Sequence, residues 1–172
     1  MQTFYFDTLS GRCVGSFGPG TDLPAGAQPA ASAPDDGRQI WNGTDWEWPV
    51  EVIRQNAIDA AARRYDAALA AGMSYGGKVL QIREPDQANL TTMGNEARWA
   101  KAAGAAWPAD FAWRMADDTF LPVPTTDAMI ALGEAAKAEV YRLRRVKWLH
   151  VDALLALASS ADIAGYNIET GW

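Results

Sequence analysis

The chain is poor in the residues that most often carry chemistry. It has one cysteine, Cys13, and one histidine, His150, in 172 residues. A lone thiol excludes an intramolecular disulfide and a cysteine zinc site. A lone imidazole excludes a paired-histidine metal motif. Apolar runs are short as well. The longest helix-period stretch carries Arg, Lys and Glu throughout, so no segment is expected to insert in a membrane. Phe4-Tyr5-Phe6 is followed at once by Asp7 and turn residues, which is not a secretory leader. Basic charge is also scarce: 15 Lys and Arg against 21 Asp and Glu give a net charge of −6. A nucleic-acid binder would need a concentrated basic surface to offset that. The one local cluster, Arg142, Arg144, Arg145 and Lys147, points in several directions around a helix rather than along one stripe. Gly76-Gly77-Lys78 lacks the strand-to-helix context of a phosphate loop. No catalytic set, metal or cofactor is expected.

Turns, tryptophan and alanine are plentiful. Apolar residues make up 49% of the chain, enough for a real core and too many for a wholly disordered protein. The periodicity predicts an α+β fold, a mainly helical body with short β-hairpins behind a small Trp-bearing β module. That module is expected over residues 1–48. Residues 2–9 and 12–17 predict two short strands around the turn Leu9-Ser10-Gly11-Arg12. Residues 18–38 are rich in Gly, Pro, Ala and Asp and predict a linker without regular structure. Gln39 to Trp48 predicts a second hairpin, with Asn42-Gly43 as its turn signal.

The remaining residues, 49–172, predict a helical domain. Pro49 suits the first turn of a helix that Gly72 should stop. The segment from Ser74 to Ile82 predicts a tight turn, with Gly76-Gly77 supplying the backbone freedom, and a strand. A second helix is expected from Pro85-Asp86 to about Ala106, and a hairpin at about 111–123, with Pro122 marking a sheet edge. A long helix should run from 126 to about 158, capped by Thr125-Thr126. Its apolar face includes Val140, Leu143, Val151 and Leu154. A helix of that length needs another helix or a partner subunit beside it. Those four positions are therefore the expected helix interface, in a homo-oligomer, dimer or trimer.

The acidic pairs Asp35-Asp36 and Asp117-Asp118 fall in turns, where carboxylates bond to nearby backbone N–H groups. His150 reads as a helical imidazole packed on a face. The aromatic cluster Trp41, Trp46 and Trp48 leaves three readings open: the small core of the N-terminal module, a protein interface, or a platform for a sugar ring. In the last two, Asn42, Thr44 and Asp45 would supply polar contacts.

Several segments, in order, carry a family resemblance: Asn56 to Gly72, Tyr75-Gly76-Gly77-Lys78, Asp86-Gln87-Ala88-Asn89-Leu90, Phe111 to Asp118, and the closing Gly171-Trp172. Over about Arg54 to Trp172 the chain resembles the DUF4376 family, a domain of tailed-phage and prophage tail genes. Residues 1–48 resemble the N-terminal part of phage tail-fibre and tail-fibre-assembly proteins. The resemblance brings no catalytic residues. It implies a non-enzymatic virion component or an assembly chaperone, with a tail-fibre or baseplate protein as partner. Location would be the host cytoplasm during assembly, or the virion tail. The alternative is a module binding a host-surface glycan through the Trp41/Trp46/Trp48 hairpin.

Overall fold

Two glycines and a tryptophan organise the N-terminal β elements. In the computed structural model, which describes residues 2–172, β1 (Thr3–Asp7) pairs antiparallel with both β2 (Cys13–Phe17) and β3 (Ala27–Pro29). The sheet order is β2-β1-β3. Asp7 fixes the β1–β2 turn: its Oδ1 accepts from the Ser10 N–H at 2.8 Å and the Ser10 hydroxyl at 2.7 Å. Gly15, at φ 135°, lies where a bulge shifts the β1–β2 register. The expectation that residues 18–38 lack regular structure fails at β3. Pro29 is tolerated there because β3 is an edge strand, where a missing N–H leaves no ladder bond unmade.

β4 (Ile40–Trp41) and β5 (Trp46–Glu47) form the expected second hairpin, with Trp41 opposite Trp46. Its connection has four residues. Asn42 Oδ1 accepts from the N–H groups of Thr44 and Asp45, both at 2.9 Å, an Asx turn that closes the loop from within. The Trp41 N–H donates to the Gly11 carbonyl at 2.7 Å, tying this hairpin to the β1–β2 turn.

The helical body follows. α1 (Val50–Ala71) ends at Gly72, whose φ of 78° is left-handed, as the sequence predicts. β6 (Met73–Tyr75) and β7 (Lys78–Leu80) are joined by Gly76 and Gly77, both at positive φ, the geometry of a tight two-residue hairpin. α2 (Glu84–Ala103) begins where Asp86 Oδ2 accepts from the Arg83 N–H at 3.1 Å and Nε at 2.8 Å, and it ends before left-handed Gly104, three residues short of the expected Ala106. β8 (Ala112–Arg114) and β9 (Phe120–Pro122) form the fourth hairpin, and α3 (Thr126–Ala156) is the long helix. Its 31 residues span about 46 Å at 1.5 Å per residue. A short α4 (Ser160–Gly165) is capped by Ser159, which accepts from the Asp162 N–H at 3.1 Å.

The chain divides into two compact units. The first comprises residues up to Ala57 together with Leu154–Tyr166; the second comprises Ile58–Ala153 and Asn167–Trp172. In the first unit, Arg54 reaches the last carbonyls of α3 and the residue beyond: Nε donates to Leu154 O at 3.3 Å and Nη2 to Leu157 O at 2.9 Å. These would otherwise be unpaired helix-end acceptors.

The core of the second unit joins Leu80 and Ile82, Leu90 and Ala97 of α2, Met115 and Val123, and Met129, Leu132, Ala136, Val140 and Leu143 of α3. Tyr65, Ala68 and Leu69 of α1 pack against it. Lys101 pairs with Asp127 and Arg98 with Glu134, so α2 and α3 run antiparallel. Gly133 allows their close approach, since a Cβ there would lie 3.4 Å from Leu90 O and 4.0 Å from Gly94 Cα. Of the expected interface positions, Val140, Leu143 and Leu154 are buried within the chain and Val151 is half-buried.

Candidate functional site

The aromatic hairpin lies in the first unit and is built inward. Trp46 is buried, and its indole N–H donates to Ser32 O at 2.9 Å. Trp41 is half-buried; its ring lies over Phe6, with centroids 5.6 Å apart and planes 28° from parallel. Against Trp46 it makes an edge contact at 5.4 Å and 66°. Trp48 is half-buried beneath the Arg38 guanidinium, 5.0 Å from its ring centroid. Trp41 and Trp46 therefore do not share one flat face, and their packing is that of a small core.

The polar groups of the loop are committed to one another. Asn42 Oδ1 serves Thr44 and Asp45, Asn42 Nδ2 donates to Glu47 Oε2 at 3.1 Å, and Asp45 Oδ1 accepts from the Trp46 N–H at 2.8 Å. Beside the loop, Arg38 bonds Asp36 through Nε at 2.9 Å and Nη2 at 3.0 Å, and holds its carboxyl down at about 2. Buried Gln39 accepts from the N–H groups of Asp35 and Asp36. The Asp36 carboxylate is thus occupied by turn and ion-pair bonds, and Asp35 is held in the turn through its backbone N–H.

In the second unit, two hairpins that carry the family resemblance meet. The Ala116 N–H donates to Val79 O at 2.9 Å, and Lys78 Nζ reaches the Thr119 hydroxyl and, at 4.0 Å, Asp117. Asp117 Oδ1 accepts from the Thr119 hydroxyl at 2.6 Å and from its N–H at 3.1 Å, and these bonds lower its pKa. Asp118, at φ 62°, pairs with Arg114 at 2.8 Å. The second acidic pair is turn chemistry too. Among the described residues, no group of three or more His, Cys, Asp or Glu is placed to hold a metal ion. Among them also, no helix is long and apolar enough to cross a membrane.

The groove between α2 and α3 has a volume of about 220 Å³ and is lined by Leu90, Thr91, Ala136, Lys137, Val140 and Arg144. It falls short of the few hundred Å³ that an ordinary small-molecule site encloses.

The basic cluster is dispersed. Arg142 bonds Glu139 and donates to Gly171 O at 2.7 Å, while Lys147 sits 5.2 Å from the centroid of the Tyr65 ring. Arg144 and Arg145 are exposed. On the same helix, Tyr141, Trp148 and Leu149 are 59%, 52% and 58% exposed, three positions not among those expected from the sequence. The signal was present, because Tyr141 and Trp148 stand seven residues apart, nearly two helical turns, and so share a face. Attention to the buried stripe concealed the outward one.

A family model matches most of the chain. The model for the domain of unknown function DUF4376 covers residues 52–170, and the chain belongs to that family. Neither a curated protein nor a solved structure matches it. Membership is consistent with a phage tail-associated role.

Proposed function

We propose that this is a non-enzymatic phage tail protein, acting in tail-fibre assembly or as a small structural or attachment component of the tail. Its partner in this reading is a fibre or baseplate protein. Family membership over residues 52–170 is the observation that carries it. The protein would work in the host cytoplasm during assembly and, as a structural component, in the virion tail.

Within the first unit the exposed loop from Asn42 to Asp45 is the proposed partner contact, with Trp41 and Trp46 holding it from beneath. A protein partner fits this loop better than a glycan. A sugar needs a free aromatic face and uncommitted hydrogen-bonding groups. Trp46 is buried, and the side chains of Asn42 and Asp45 are bonded within their own hairpin.

Co-expression with the neighbouring fibre gene tests the assembly role, and mass spectrometry of mature virions tests the structural one. A fibre that trimerises only when the protein is present supports assembly. The chain in purified virions supports a structural role. A fibre that folds and stays soluble alone, with the chain absent from virions, overturns both.

A further inference from the structure

The outward face of α3 carries three large apolar side chains and two unmatched charges. Tyr141, Arg145, Trp148, Leu149 and Asp152 are all exposed and all belong to the second unit. At 3.6 residues per turn they fall within an arc of about 100°. Among the described residues, the side chains of Arg145 and Asp152 make no ion pair or hydrogen bond, although their neighbours Arg142 and Glu139 are paired. Seven residues, about 10 Å along the axis, separate Arg145 from Asp152, too far for the two to pair within one helix. A Trp and a Leu side by side on a solvated helix, flanked by opposite charges, have the composition of an interface centre with a polar rim.

We propose that this face is a twofold interface between two copies of the chain, with the α3 helices antiparallel and the axis passing between Trp148 and Leu149. A twofold contact uses the same patch on both molecules, so the patch must complement itself. The positions satisfy this in one arrangement. With the axis between residues 148 and 149, Trp148 of each copy lies against Leu149 of the other. In the same register Arg145 of each copy faces Asp152 of the other, so two ion pairs form and each of the four charges is matched once. A parallel arrangement sets Arg145 against Arg145 and Asp152 against Asp152, which like-charge repulsion disfavours. The charge order therefore selects a second copy in the antiparallel sense. This inference is independent of the tail role proposed above.

Sedimentation equilibrium over a micromolar-to-millimolar range tests it. The wild-type mass is expected to rise with concentration from 18.6 kDa toward twice that value. Arg145→Asp and Asp152→Arg should each weaken association by about tenfold or more, and the two together should restore it. Trp148→Ser should abolish association while leaving the circular dichroism spectrum and thermal melt intact, because the side chain is half exposed. Leu143→Asp serves as the contrasting core substitution and should unfold the chain. A mass fixed at 18.6 kDa at every concentration overturns the proposal. So does an oligomer indifferent to Trp148→Ser, a trimer, or a charge swap that fails to restore what either single change removes.

Discussion

The imidazole of His150 lies against the indole of Trp172, with ring centroids 5.3 Å apart and planes 23° from parallel. Around this stack the last residues of the chain are fastened to the second unit. His150 Nε2 donates to Thr170 O at 2.9 Å, and the Trp172 indole N–H to Ile168 O at 2.7 Å. Glu169 pairs with Arg64 at 2.9 Å, and Arg142 holds Gly171 O. Trp172→Ala should destabilise the protein by about 2–3 kcal/mol, less than a fully buried Trp because the ring is partly exposed. Amide hydrogen exchange should show protection lost over residues 167–172 first. Full retention of that protection would remove the stack from the account.

Gly72 and Gly77 separate two costs that glycine substitutions usually mix. Both have left-handed φ, 78° and 77°. A Cβ at Gly77 meets nothing within 4 Å, whereas one at Gly72 would lie 2.5 Å from Leu80 O. Gly77→Ala should cost only the backbone preference, about 1–2 kcal/mol. Gly72→Ala should cost at least about 2 kcal/mol more, because the α1 terminus and β7 must part. Chemical denaturation of the two variants checks the difference; equal losses would mean that the contact with Leu80 relaxes freely.

Acid should weaken the clasp that holds Gly171. Arg142 donates to both oxygens of Glu139, at 2.8 and 2.7 Å, and these bonds draw the carboxyl below its usual 4.5. A depressed folded-state value means the contribution is present above the unfolded pKa and is lost as pH falls through the folded one. The pair is partly exposed, which limits its worth to below about 1 kcal/mol. Stability measured from neutral pH downward should decline through the carboxylate range. Glu139→Gln should start lower and decline less steeply, and a parallel decline would assign the acid sensitivity elsewhere.

Arg54 is the side chain whose loss should fray the C-terminal end of α3. Two of its nitrogens serve the carbonyls of Leu154 and Leu157, and a third pairs with Glu51 at 2.5 Å. Arg54→Ala should cost about 1–3 kcal/mol, the range for charged hydrogen bonds left unmade. Arg54→Lys should recover little, since an ammonium cannot reproduce the fork. Exchange rates of the amides near Leu157 report the fraying directly.

Much of this fold was legible because its punctuation is local. Gly72, the Gly76-Gly77 turn, Pro49 and Thr125 act through their own backbone geometry, so α1, the Gly76-Gly77 turn with the strand after it, and the start of α3 follow from the sequence, whereas β6 does not. β3 was not legible. Its three residues sit in a Pro- and Gly-rich stretch and become a strand only because β1 offers a free edge. The stop of α2 was placed late, since Gly104 and Pro108 both signal an end and the first prevails. The Trp hairpin was read correctly as a hairpin. Whether its rings face inward depends on Phe6 and Ser32, both distant in sequence. The outward face of α3 depends on which side the core takes, a tertiary fact that periodicity alone does not fix.

The seven-residue spacing from Tyr141 to Trp148 has a mechanical consequence. A straight α-helix turns by 3.6 residues, so positions seven apart drift by about 20° with each repeat. The apolar face therefore stays in line for only a few turns before rotating away, and two straight helices meeting there touch over a short length and then diverge. Such a contact is brief between freely diffusing molecules. Between copies held at fixed spacing it gains the effective concentration of tethered neighbours. Its strength then becomes a property of how many copies stand side by side.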